Sequence, residues 1–145
     1  MNQEQLAAAW VDSRCAPLYV WRIPRSPDTT ELKAALSAIQ TWVKTLDAPY
    51  GWITDPRALE VEVIAQQRSL LAEHLRIVAP KSELYCAGMS MLITNPVLRG
   101  VATAVGWMTP YSFPTAFHGS YAEADLWVRQ QLQLRGAVLV PRAPG

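Results

Sequence analysis

The chain has 145 residues, half of them apolar and 17% charged, which sets the expectation of one domain around one main core and excludes a disordered chain. Thirteen basic and twelve acidic residues leave a formal charge of +1, too little for a nucleic-acid footprint or a polybasic membrane anchor. Two cysteines, Cys15 and Cys86, stand without a CxxC motif or a Cys/His cluster, so neither a disulfide scaffold nor a zinc site is expected, and no cofactor is implied.

Leu6–Val11 is either an edge strand or a short helix. The strand is the expected form, turning back at Asp12-Ser13-Arg14, because Trp10 and Val11 disfavour helix interiors. Leu18–Ile23 is rich in β-branched and aromatic residues and stops at Pro24, which reads as a strand. Asp28 and Glu31 match a capping box, and Leu32, Leu36, Ile39, Val43 and Leu46 fall on one stripe, so a helix is predicted over 29–46. Tyr50–Asp55 is a short strand ending at Pro56. A long helix is predicted over 58–78, with Val61, Ile64, Leu71, Leu75 and Val78 on its apolar side, Arg68 interrupting that side and Pro80 closing it.

Leu84–Thr94 is a nearly continuous apolar run, the pattern of a central strand covered on both faces. Asn95-Pro96 is a helix start, with Val97, Val101, Ala104 and Met108 as the buried stripe and Thr109-Pro110 as the stop. Met89–Met108 is too interrupted by Asn95-Pro96 to span a membrane. Phe113–Phe117 reads as a fourth strand at an edge, because of Pro114. Ser120 and Glu123 open a last helix that ends before Gly136. The expectation is an α/β fold of four consecutive β-α units over residues 1–136, with a mainly parallel sheet, an antiparallel N-terminal edge strand and a loose tail over 137–145. The first residues lack a basic and apolar leader, so a cytoplasmic chain with reduced thiols is expected.

Chemistry-bearing motifs are scarce. GxGxxG, Walker, GxSxG and HExxH patterns are all missing. Cys86 and His118 lie on different strands and are the one conceivable nucleophile and base, although packing roles explain both. Glu60, Glu62 and Glu73 read as a solvated helix face. Asp55, Arg57 and Arg68 form the most informative group. Asp55 ends a strand, where open parallel sheets tend to place ligands. Arg68, on the apolar side of its helix, is expected to face Asp55, either as a structural ion pair or as a fork for an anion. Trp107, Met108, Tyr111 and Phe113 flank Pro110 and form a candidate aromatic patch, or a capped edge of the core.

The order of elements, the Trp52–Arg57 stretch, Gln67-Arg68, Leu98-Arg99-Gly100 ahead of Trp107, and Glu123-Ala124 before Trp127 resemble the SpoIIAA-like group. That group contains the STAS domains of anti-sigma-factor antagonists and the CRAL-TRIO lipid carriers, and the chain is most similar to uncharacterised stand-alone bacterial STAS-like proteins. The resemblance implies a non-catalytic regulatory module that docks to another protein. A STAS phosphoacceptor would stand within Asp55–Glu60, where no hydroxyl residue occurs, so a module without its own phosphorylation switch is expected.

The predicted docking surface is the mouth where Asp55-Pro56-Arg57 and Thr94-Asn95-Pro96 enter their helices. Arg57 and Arg99 would add charge to two helix N-termini and take an acidic or phosphorylated group of a partner protein. A homodimer is compatible with this reading, whereas nucleic acid and integral membrane association are not expected. The alternatives are a carrier of a small apolar ligand or lipid, and an unrecognised enzyme using Cys86 and His118.

Overall fold

The computed structural model describes residues 2–139. Its elements in chain order are α1 (Gln3–Trp10), β1 (Val11–Cys15), β2 (Leu18–Arg22), α2 (Thr29–Val43), β3 (Tyr50–Asp55), α3 (Ala65–Tyr85), β4 (Cys86–Met91), α4 (Pro96–Met108), β5 (Thr115–Phe117) and α5 (Tyr121–Leu134). The strands form one sheet in the order β1-β2-β3-β4-β5. β1 runs antiparallel to β2, and the other pairs are parallel. The architecture is thus a mostly parallel sheet flanked by helices in alternating β-α order.

Because each parallel strand is added on the same side of the last, right-handed crossovers deliver their helices to one face of the sheet. α2, α3 and α4 follow each other there, α2 against α3 and α3 against α4. α5 follows the last strand and crosses back over β3 and β4 on the opposite face. Strand alternation then divides the core. Leu18, Val20 and Ile53 join Ala124, Val128 and Leu132 of α5, while Tyr19 and Tyr50 join Ile39, Val43 and Val78 on the other side. A register shift between Tyr50 and Gly51 inserts one extra residue in β4, so Met89 and Met91 face α4 and Ser90 faces α5.

The antiparallel edge strand exists, but not at Leu6–Val11. Those residues are helical up to Trp10, β1 follows, and the chain reverses at Ala16-Pro17 rather than at Asp12-Ser13-Arg14. Asn2 and Gln5 form a reciprocal cap, with Asn2 Oδ1 accepting from Gln5 N at 2.8 Å and Gln5 Oε1 accepting from Asn2 N at 3.0 Å. Ala7-Ala8-Ala9 then propagates the helix. Trp10 finishes α1 by burying its ring against Leu32, Ala35 and Leu36 of α2.

The helix predicted over 58–78 is displaced to Ala65–Tyr85. Residues 56–64 are a loop held from outside, with Glu60 N donating to Arg25 O at 2.8 Å. Gln67 starts the helix, its Oε1 accepting from Ile64 N and its Nε2 donating to Pro27 O, each at 3.2 Å. Pro80 does not end it. Buried Val78 and Ser82 on either side of the proline anchor the helix, and Lys81 Nζ donates to Leu46 O at 2.6 Å. Packing here overrides the breaker. The strand predicted over 84–94 shortens accordingly to β4.

α2 and α4 begin where their caps predict, Asp28 accepting from Glu31 N and Asn95 from Val97 N, each at 2.8 Å. α2 ends earlier than expected, at Val43. In α4 the buried residues are Ala102 and Val105, while Val97 and Met108 of the expected stripe are exposed. The helix is apolar on adjacent stripes, so periodicity alone cannot choose its phase. α5 carries the Ser120–Glu123 box, and Gly136 takes a φ of 74° past its end. Of the residues predicted as tail, Ala137 and Leu139 pack on the α5 side of the core, and residues 140–145 lie outside the described residues.

Candidate functional site

β3 and β4 present Trp52, Thr54, Met89 and Met91 to the face shared by α3 and α4. α3 and α4 pack on each other there more than on the sheet. A cavity of about 130 Å³ remains between them. Leu71, His74, Leu75 and Val78 of α3 form one wall, Leu98, Val101, Ala102 and Val105 of α4 another, and Tyr111 and Phe113 close an end. Leu71, Leu98 and Val101 are only half-buried, so the cavity reaches solvent between the two helices.

Almost all of this lining is apolar, and among the described residues no charged side chain contributes to it. Two of its hydroxyls are committed to protein partners: Thr54 Oγ1 donates to Met89 Sδ at 3.1 Å, and Tyr111 OH donates to Ala102 O at 2.9 Å. His74 is buried, and Gln40 of α2 contacts its Nδ1 at 3.2 Å. Burial drives its pKa down to about 4, so the ring is neutral near neutral pH. The cavity therefore suits a neutral, mostly apolar guest, since a buried unpaired charge is costly.

The residues of the predicted mouth are placed differently from one another. Asp55 takes both its fork and its backbone contact from Arg57, not Arg68: Arg57 Nε and Nη2 donate at 2.9 and 3.0 Å, and Arg57 N at 3.0 Å. Burial pushes the Asp55 carboxyl up, but these Arg57 contacts outweigh it and hold it below the usual carboxylate range. Arg68 is only half-buried and donates to Val63 O at 2.9 Å, so it does not pin its helix to Asp55. The helix shift explains this, because Gln67 rather than Arg68 turns inward. α3 begins at Ala65, so its N-terminus is not at the Asp55-Pro56-Arg57 turn. Asn95 does cap α4, and Arg99 Nε donates to Ile93 O at 3.3 Å with its guanidinium 5.0 Å from the Phe117 ring.

The aromatic patch divides. Trp107 is 81% exposed, whereas Tyr111 and Phe113 turn inward, 5.9 Å apart, and line the cavity. Cys86 and His118 do not meet. The Cys86 thiol is fully buried, and desolvation drives its pKa up to about 12, which leaves no reactive thiolate near neutral pH. His118 instead has its Nδ1 2.6 Å from Ser90 Oγ and its ring against Trp127. Ser90 is fully buried, so this contact ties β4 to the strand end beside it and offers no accessible nucleophile. Cys15 and Cys86 form no disulfide. Among the described residues no group of His, Cys, Asp and Glu is arranged to hold a metal, and no helix is long and apolar enough to cross a membrane.

The cavity itself was not foreseen, although one signal was present. His74 occupies the second place in the series Leu71, His74, Leu75 and Val78, and a polar residue on such a stripe is the feature to question. Compared with family models, curated proteins and solved structures, the chain matches none of them.

Proposed function

We propose that this protein is a non-catalytic, STAS-like binding module whose ligand is a small, neutral, largely apolar molecule held between α3, α4 and the sheet. The observation that carries this reading is the apolar cavity of about 130 Å³. A void of about 150 Å³ with a comparable lining admits benzene, so the capacity here corresponds to one ring rather than a long acyl chain. The size argues for the small-ligand form of the carrier reading and against a lipid.

Docking of an acidic or phosphorylated partner at the strand ends has less support. Arg57 is neutralised by Asp55, Arg99 is engaged by Ile93 O and Phe117, and one of the two helix dipoles invoked for that mouth points from elsewhere. Binding is tested by titrating toluene and benzene while following tryptophan fluorescence, since Trp21 and Trp52 line the cavity, and by thermal unfolding. A ligand at one hundred times its Kd adds about 2.7 kcal/mol of stability, so a saturable fluorescence change with a raised Tm is expected. Neither change with any single-ring compound would defeat the proposal.

A further inference from the structure

His74 is 8% exposed and lines the cavity. Its Nδ1 faces Gln40 Nε2 of α2 at 3.2 Å. An amide nitrogen only donates, so Nδ1 accepts and the ring proton sits on Nε2. That Nε2–H has no hydrogen-bond partner among the described residues. Trp21, whose ring centroid lies 6.1 Å from that of His74, also has a buried Nε1–H without a partner. Both residues line the cavity, so its wall carries two ring N–H donors without a protein acceptor among the described residues. The Trp21 donor is buried, and buried donors are ordinarily paired, so what this wall lacks is an acceptor. The other walls contribute the rings of Trp52, Tyr111 and Phe113, whose edges and faces favour a planar guest.

We propose that His74 is the polar anchor of the cavity and that the ligand class is a single neutral aromatic ring bearing one hydrogen-bond acceptor, such as a carbonyl oxygen. This rests on the reading of the cavity as a ligand site. Gln40 acts as a positioning residue, because its contact selects the tautomer that donates into the cavity. A carboxylate in place of the neutral acceptor would have to shed its hydration with no cationic side chain in the lining to receive it.

Benzaldehyde and styrene are nearly isosteric and differ in C=O against C=CH2, so their affinity ratio isolates the acceptor from ring size. Both are titrated calorimetrically into the wild-type chain and into His74→Phe, which keeps a ring in place. One net hydrogen bond corresponds to about a three- to tenfold change in affinity. The benzaldehyde-to-styrene ratio should therefore fall by about three- to tenfold in His74→Phe. In the wild-type chain labelled with ¹⁵N-histidine, benzaldehyde should shift the His74 Nε2–H signal and styrene should leave it nearly unmoved. That second measurement decides the matter even where His74→Phe fails to fold. An unchanged ratio, or an Nε2–H signal indifferent to benzaldehyde while both compounds bind, overturns the anchor and leaves the cavity reading intact. Failure of both compounds to bind overturns the cavity reading and the anchor with it.

Discussion

The two faces of the sheet are built on opposite plans. Under α5 the strands offer Gly51 and Gly88, and the helix comes down onto them. A Cβ at Gly51 would lie 2.6 Å from Val128 Cγ1, and one at Gly88 would lie 3.1 Å from the Trp127 ring. On the other face β3 carries Tyr50 and Trp52, and the neighbouring β2 adds Tyr19. Rings of that size hold helices at a distance, and Tyr19, Trp42 and Trp52 pack edge to face where α2 covers them. Past the reach of that cluster, α3 and α4 bridge the gap without filling it. Small residues close one face, and the combination of large residues with three successive crossover helices leaves the other hollow. A void is tolerated where it lies between elements that already support each other.

This contrast is broken most directly by truncating one leucine on each side. Leu132 of α5 is fully buried in the closed face. Leu132→Ala should cost about 4 kcal/mol, within the range for a large-to-small change in a well-packed core. Leu98 of α4 borders the existing cavity and is only half-buried, so Leu98→Ala should cost about 1 kcal/mol, for it enlarges an opening rather than making one. Urea unfolding of both variants measures the difference. Equal losses would mean that the two faces are packed alike.

A second difference is electrostatic. His74, on the hollow face, has its pKa lowered to about 4 by burial, against about 6.5 in an unfolded chain. Above pH 6.5 neither state carries the proton and stability is unaffected. As the pH falls from about 6.5 to 4, the unfolded chain takes up a proton that the native ring refuses, and stability declines by roughly 3 kcal/mol. Asp12, held low chiefly by its fork from Arg14, and Asp55 also lose stabilising contacts on acidification, but in the carboxylate range below. Unfolding measured every half pH unit separates the windows. His74→Phe should flatten the curve between pH 6.5 and 4 and leave the lower fall in place. Persistence of the upper fall in that variant would assign it to another group.

The elements that were legible in the sequence are those specified by their own neighbours. Tyr50–Asp55 is bounded by prolines on both sides, and Asp28, Asn95 and Ser120 each accept from a backbone N–H of the helix they open. α3 was misplaced because its limits are set at a distance, by Gln67 reaching Pro27 and Lys81 reaching Leu46. Those contacts carry the helix through Pro80, a residue that by local rule should stop it. The Asp55–Arg57 fork was half legible. The residues were singled out, but the shift of α3 gave Asp55 a partner two positions away instead of Arg68. The cavity is nearly illegible in the sequence, since an empty volume belongs to the spacing of α3, α4 and the sheet and to no segment of the chain. His74 was the local trace of it.

The smallest effect expected is also the most discriminating, because its sign separates the faces. Ala102 sits inside α4 and borders the cavity. Ala102→Leu adds three carbon atoms on that side, and alanine and leucine have similar helix propensities. In a filled core such an enlargement costs about 1–3 kcal/mol through forced rotamers and backbone shifts. Here about 130 Å³ is open to receive the side chain, so the change should stay within about 1 kcal/mol and favour the folded state through added burial. The matched enlargement on the closed face is Gly51→Ala. Its single carbon meets Val128 Cγ1, the stiff branch of a fully buried side chain, and should destabilise by about 2 kcal/mol. One methyl would then harm where an isobutyl group does not. Ala102→Leu should also abolish binding of toluene and benzene by occupying their space, without loss of fold. Destabilisation of Ala102→Leu as large as that of Gly51→Ala would show that α4 already rests on the sheet, and the distinction between the faces would fall.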